Sequence, residues 1–156
     1  VLGFNSCRPK SEGTVSITSS RPGEAPSIRP NYLDHEDDRD EALAMARLIE
    51  RLMATPALTG ILADEPLTPL DKMDDDAVLA DFRQRGGTVF HLCGTCRMGP
   101  DAASSVVDSR LRVHGVEGLR ICDASAFPNI TSANTNAPTM MLAHRAAGMI
   151  LQDGQR

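Results

Sequence analysis

The chain contains no tryptophan, one tyrosine and four phenylalanines, so aromatic residues fill only 3% of its 156 positions. Aromatic side chains bury the most area each; a core without them must rest on Leu, Ile, Val, Met and Ala. Such a core can suffice alone, or be one slice of a larger core completed by other parts of a chain. Cysteine is scarce as well. Cys7, Cys93, Cys96 and Cys122 are spread too thinly for a small disulfide scaffold, and a reducing, cytoplasmic setting is expected. There is no basic excess: 16 Lys and Arg against 21 Asp and Glu leave a net charge of −5, which argues against generic nucleic-acid binding. No apolar run approaches the ~20 residues of a membrane span, so no transmembrane segment is expected, and the first residues lack the layout of a signal peptide.

What is present reads as globular: 41% hydrophobic and 24% charged residues fit neither a disordered nor a collagenous chain. From Gly13 to Ser19 polar and β-branched residues alternate, as in a half-buried strand. Pro22, Pro26 and Pro30 make the next stretch an extended connector, neither helix nor central strand. From Glu36 to about Met53 the spacing predicts a helix, with Ala42, Met45, Ile49 and Leu52 on one face beside Leu48 and Met53. Asp37, Asp38 and Asp40 read as its solvated start, where negative charge suits the dipole. A connector with Pro56, Pro66 and Pro69 follows, then a helix from about Asp74 to Arg85 with Val78, Leu79 and Phe82 inward, stopped at Gly86-Gly87. Beyond it come a short apolar run around His91 and a small-residue loop from Gly94 to Gly99. Short strands are expected at Val106–Asp108, Leu111–Val113 and Leu119–Cys122. A last helix is expected from Pro138 to about Gln152, with Met140, Ala143, Ala147, Ile150 and Leu151 on one face.

Three groupings could carry chemistry. Cys93-Gly-Thr-Cys96 is a C-x-x-C, but Arg97-Met-Gly-Pro100 cannot open the helix that a redox dithiol needs. As half of a zinc site it would need His114 and Cys122, a spacing that matches no common paired arrangement. His91, between Phe90 and Leu92, is a core histidine or a proton acceptor. His35 and His114 read as solvated, and His144 as facing its neighbours on the last helix. The stretch from Asn134 to Thr139 is a polar entry to a helix, either a plain N-cap by Thr135 or Asn136 or a place for an anionic or carbonyl-rich ligand.

Taken together, His91-x-x-Gly94-Thr95, Met98-Gly99, Val107-Asp108, Leu111-Arg-Val113, Gly115, Leu119-Arg120, Asp123-Ala-Ser125, Pro128 and Asn136-x-Pro138-Thr139 form an ordered series. It resembles the C-terminal signature of the glucose–methanol–choline (GMC) flavin oxidoreductases, closest to their choline dehydrogenase-like branch. Ser11-x-Gly13-x-Val15, Pro26-x-Ile28-x-Pro30-Asn-Tyr-Leu33 and Asp38 resemble the approach to that signature, so the likeness runs from about Pro9 to Leu151. It implies FAD as cofactor, a small primary alcohol as substrate, and hydride loss from the alcohol carbon with proton loss from its oxygen. It implies His91 and Asn136 as the catalytic pair, and Asp123, Ala124, Pro138 and Thr139 at the cofactor. An imidazole can take the proton near neutral pH, and an amide can steady the developing alkoxide. His144 and Arg145 stand where the branch often has Glu and Lys or Arg.

The dinucleotide fingerprint G-x-G-x-x-G is absent from this chain. The expected fold is therefore α+β, the C-terminal part of such an enzyme. Residues 1–87 would belong to the substrate-binding domain, a sheet with flanking helices. Residues 88–156 would form the catalytic segment and the return to the FAD-binding domain, whose N-terminal dinucleotide-binding part would be the missing partner. The isolated chain is expected to hold FAD weakly, to be inactive and to self-associate. Two other readings stand beside this one: a small zinc module on Cys93, Cys96, His114 and Cys122, and a non-catalytic interaction domain of the same fold.

Overall fold

The computed structural model describes residues 2–62 and 68–154. Its elements are β1 (Thr14–Ser16), β2 (Ser27–Arg29), α1 (Glu36–Met53), α2 (Pro56–Thr59), α3 (Asp75–Arg85) and α4 (Asn136–Asp153), with single tight helical turns at Leu70–Lys72 and Ala124–Ala126. This is an α+β chain in which helices dominate. Among the described residues, the extended sheet expected for its first half reduces to one β1–β2 pair. β1 is exposed along its length, and Ile17 just after it is 91% exposed, so the half-buried strand expected there is short and bare. β2 lies inside the stretch expected to be only a connector. Both strands of a two-stranded sheet are edges, and edges tolerate neighbouring prolines.

The chain divides into two compact units. The first comprises Val1–Ser6, Lys10–Gly13 and Ile28–Gly87, and is built on α1 and α3. His35 caps α1, its Nδ1 accepting the Asp37 N–H at 3.2 Å. Asp74 caps α3, its Oδ1 accepting the Ala77 N–H at 2.8 Å. The inward line of α1 is Asp38, Ala42 and Ala46, with Met45, Ile49 and Met53 partly buried, while Leu48 and Leu52 face outward. Asp38 is thus not part of a solvated start: it is 6% exposed and accepts the backbone N–H groups of Lys10 at 2.8 Å and Ser11 at 2.7 Å. The Arg47 guanidinium reaches the Leu70 and Met73 carbonyls and the Asp75 carboxylate, tying α1 to the start of α3. Val78 is buried and Leu79 and Phe82 partly so, as expected. The Phe82 ring meets that of Phe4 at 5.9 Å. The proline connector folds locally into α2 and the turn at Leu70–Lys72; its part with Pro66 lies outside the described residues.

The second unit comprises Cys7–Pro9, Thr14–Ser27 and Thr88–Arg156. Its centre is Val107, Leu111, Ala126 and Ala146, with Met98, Val106, Val113, Ile121, Cys122 and Leu142 packed around them. The expected strands between 106 and 122 are single bridges: Met98 with Val107, Val107 with Val113, and Arg112 with Arg120. The chain turns too often there for a ladder to propagate. α4 spans the expected last helix and begins two residues earlier. The face it buries differs from the expected one. Ala146 is fully buried with Leu142 and Met149 beside it, whereas Met140, Ala143, Ala147, Ile150 and Leu151 are exposed, as is His144. The C-terminal turn of α4 is anchored by Asp153, which pairs with Arg110 at 2.9 Å and also with Arg120.

Candidate functional site

The site grows from the 91–99 segment of the second unit. Gly94, at φ +89°, turns the chain so that the Arg97 N–H reaches the Gly94 carbonyl at 3.2 Å; a side chain would be strained there. The segment is then laced to the turn after Asp123: Cys96 N–H donates to Ser125 O at 3.0 Å and Met98 N–H to Ala126 O at 2.9 Å. Asp123 caps that turn through Oδ1, which accepts the Ser125 N–H at 2.8 Å and the Ser125 hydroxyl. Asp123 is exposed and Ala124 half-buried. These two bonds tie residues 96–98 to the 125–126 turn.

His91 is half-buried, and its Nδ1 stands 3.0 Å from the Thr135 hydroxyl. Thr135 is 6% exposed and immediately precedes α4. His91 is therefore brought against Thr135, 44 positions away in sequence and the residue immediately before Asn136. Asn136 is exposed, and its side-chain amide makes no hydrogen bond among the described residues. No side chain caps α4, so the backbone N–H groups of Asn136 and Ala137 have no partner among the described residues. Pro138 has no N–H to offer. The Thr139 hydroxyl and N–H both donate to the Thr135 carbonyl, at 2.7 and 3.0 Å. The donors free at this helix start, Asn136 and Ala137, lie two residues earlier than the expected pair, Pro138 and Thr139.

Thr135 and the Ala137 amide are the participants that sequence reasoning did not single out. In the sequence Thr135 reads only as a cap; a polar β-branched residue beside Asn136 is the one available signal. The Ala137 N–H carries no side-chain signal, although a proline two positions into a helix marks the amides before it as unpaired.

The sulfur and imidazole groups of the rival reading are dispersed. Among the described residues no three His, Cys, Asp or Glu side chains come together in a way that could hold a metal ion. His114 is engaged rather than solvated: its Nε2 lies 3.2 Å from the Ser105 hydroxyl and 3.4 Å from the Gly99 carbonyl. Burial pushes the Cys93 thiol above its ordinary value, against a smaller pull from Arg97, so it is a poor thiolate.

The FAD implied by the sequence can be tested against these groups. An uncapped helix start beside a half-buried imidazole suits a ring bearing carbonyl oxygens.

Comparison with known proteins places these residues in context. A family model described as GMC oxidoreductase matches residues 9–143. The chain is 43% identical over 145 residues to an oxygen-dependent choline dehydrogenase of Proteus mirabilis, covering 93% of this chain and 26% of that protein. It is 39% identical to an alcohol dehydrogenase (acceptor) of Pseudomonas putida, with 92% and 26% covered. Among solved structures, a formate oxidase variant from Aspergillus oryzae, studied for its FAD modification, superposes with a TM-score of 0.86 at 27% identity, over 94% of this chain and 26% of that one. A pyridoxine 4-oxidase superposes with a TM-score of 0.75 at 30% identity, over 91% and 28%. The chain thus spans about a quarter of the length of the curated relatives it matches.

Proposed function

Since this chain belongs to the GMC oxidoreductase family, we propose that it is the C-terminal part of a FAD-dependent oxidoreductase acting on the CH–OH group of a small primary alcohol. In this reading residues 1–87 contribute to the substrate-binding domain. Residues 88–156 supply the catalytic pair and return the chain to the FAD-binding domain, whose dinucleotide-binding part lies elsewhere in the protein.

The observation that carries the proposal is His91 held at the uncapped start of α4, one residue from the free amide of Asn136. His91 Nε2, which has no partner among the described residues, takes the proton from the alcohol hydroxyl. The Asn136 side-chain amide donates to the same oxygen and steadies its growing negative charge. The bound FAD supplies the hydride acceptor. Asp123 and Ala124 belong to its nucleotide side, and the start of α4, including Pro138 and Thr139, to its ring. There the N–H groups of Asn136 and Ala137 are the donors on offer.

Relatives named for choline and for alcohols bracket the substrate class. With one tyrosine and no tryptophan, this segment offers little of an aromatic cage for a quaternary ammonium group. Any such cage must be built by the rest of the protein.

The test is His91→Gln in the complete protein. Alcohol oxidation is expected to fall by about 10²–10⁴-fold with FAD content retained; an unchanged rate would overturn the proposal. The isolated chain, which exposes Met140, Met141 and Leu151, is expected to bind FAD weakly and to self-associate. A monomer on gel filtration that retains stoichiometric flavin would contradict this.

A further inference from the structure

Thr135 stands at the start of a helix, yet its hydroxyl caps nothing in that helix. It faces the His91 ring instead, 3.0 Å from Nδ1, and the residue is 6% exposed. Its position is fixed from three sides. Burial removes competing water, and the Thr139 hydroxyl and N–H hold its carbonyl at 2.7 and 3.0 Å. The β-branched side chain has few rotamers to choose from. A hydroxyl so placed is a permanent partner for one nitrogen of one imidazole.

From this geometry, and resting on the proton-acceptor role proposed for His91, we infer that Thr135 is a positioning residue that sets the His91 tautomer. A neutral imidazole has one N–H and one lone pair. When Nδ1–H donates to Thr135 Oγ1, the lone pair is on Nε2, the nitrogen left open for the alcohol. After the proton is taken, the ring is a cation and Nδ1–H still donates to the same oxygen, so the contact serves both states. The opposite tautomer, with the hydroxyl donating to Nδ1, would put hydrogen on Nε2 and block acceptance. The Thr135 backbone N–H also points to Nδ1 but at 3.5 Å, beyond the 2.7–3.2 Å of an ordinary N–H hydrogen bond, so it competes weakly for the Nδ1 lone pair.

The experiment uses the complete flavoprotein with 15N-labelled histidine and the variants Thr135→Val, Thr135→Ser and His91→Gln. Imidazole 15N shifts above the histidine pKa report which nitrogen of His91 carries hydrogen, independently of turnover. The native protein is expected to show the Nδ1–H form. Thr135→Val, which keeps the shape and removes the hydroxyl, is expected to give a mixture of tautomers. Its kcat should fall about 10–100-fold and its KM change less than about 3-fold, with flavin content and melting temperature retained. Thr135→Ser is expected to restore the native tautomer and most of kcat. A native His91 in the Nε2–H form would overturn the inference, as would a Val variant with native kcat and native shifts. If Thr135→Val does not fold, the native tautomer and the Ser variant decide by themselves. A silent His91→Gln would instead sink the functional reading beneath it, so the two failures are distinguishable.

Discussion

Asp108 grips Arg112 by backbone and side chain at once: Oδ1 accepts the Arg112 N–H at 3.0 Å and Oδ2 accepts its Nε–H at 2.8 Å. The same Oδ1 takes the Arg110 N–H at 2.8 Å. Backbone bonds complete the loop, with Leu111 N–H on Asp108 O and Asp108 N–H on Arg112 O, both at 2.9 Å. Between the two residues Leu111 is forced to φ +65° while its side chain is 1% exposed at the centre of the unit. A buried leucine in a left-handed conformation persists only where its surroundings over-determine it.

Removing the acceptor tests that arrangement. Asp108→Ala strands the N–H groups of Arg110 and Arg112 and is expected to cost about 1–3 kcal/mol in a denaturant titration. A loss below about 0.3 kcal/mol would show that water replaces the carboxylate without penalty.

Leu111 offers a test in which the usual order of substitutions is reversed. Leu111→Ala leaves a cavity and is expected to cost about 2–5 kcal/mol. Leu111→Gly leaves a similar cavity but relieves the left-handed strain. It should therefore be no less stable than the alanine variant, although glycine elsewhere costs more than alanine. A glycine variant clearly less stable than the alanine one would show that the turn stores no strain.

Asp38 links stability to pH. Burial alone would raise its pKa; the Lys10 N–H and the Ser11 hydroxyl and N–H outweigh it and hold the group below the ordinary carboxylate value. A pKa lower in the folded state favours folding above the unfolded value of about 4, and the benefit is lost as pH falls through the folded value. Asp108 acts in the same direction, its own burial outweighed by the N–H and guanidinium of Arg112 and the N–H of Arg110. The melting temperature is expected to drop below about pH 4. In Asp38→Asn it should be lower at pH 7 and less steep in acid. Parallel curves for the two proteins would contradict this.

Gly13 admits no side chain. A Cβ there would lie 2.4 Å from the Arg29 carbonyl oxygen and 2.8 Å from Pro30 Cα, both backbone atoms with little freedom to yield. Gly13→Ala is expected to cost about 1–3 kcal/mol through overpacking, read by chemical denaturation. A neutral effect would mean that the 29–30 backbone gives way.

The three long helices were legible because their signals are local. The acidic first turn and the three-and-four spacing of Ala42, Met45 and Ile49 mark α1 from end to end. The Asp74 cap and the Val78–Phe82 stripe mark α3. The face of α4 was not legible. That helix is apolar nearly all round, so its periodicity does not choose between Leu142–Ala146 and Met140–Leu151, and a helix of that kind expects neighbours on several sides. The short strands after Val106 were over-read for a related reason. Alternating apolar residues describe a ladder and a chain that turns every few residues equally well.

The sequence by itself determined the family and the three long helices, and marked His91 and Asn136 as the candidates proposed for the catalytic pair, because residue type and spacing along the chain carry those signals. Only the tertiary structure decided that Asp38 is buried beneath Lys10 and Ser11, that His114 belongs to Ser105 and Gly99, and that Thr135 stands at the His91 ring. It also moved the free helix-start donors to Asn136 and Ala137. Each of these depends on which groups remain unpaired once the backbone is closed, a property of the folded chain that no local pattern carries.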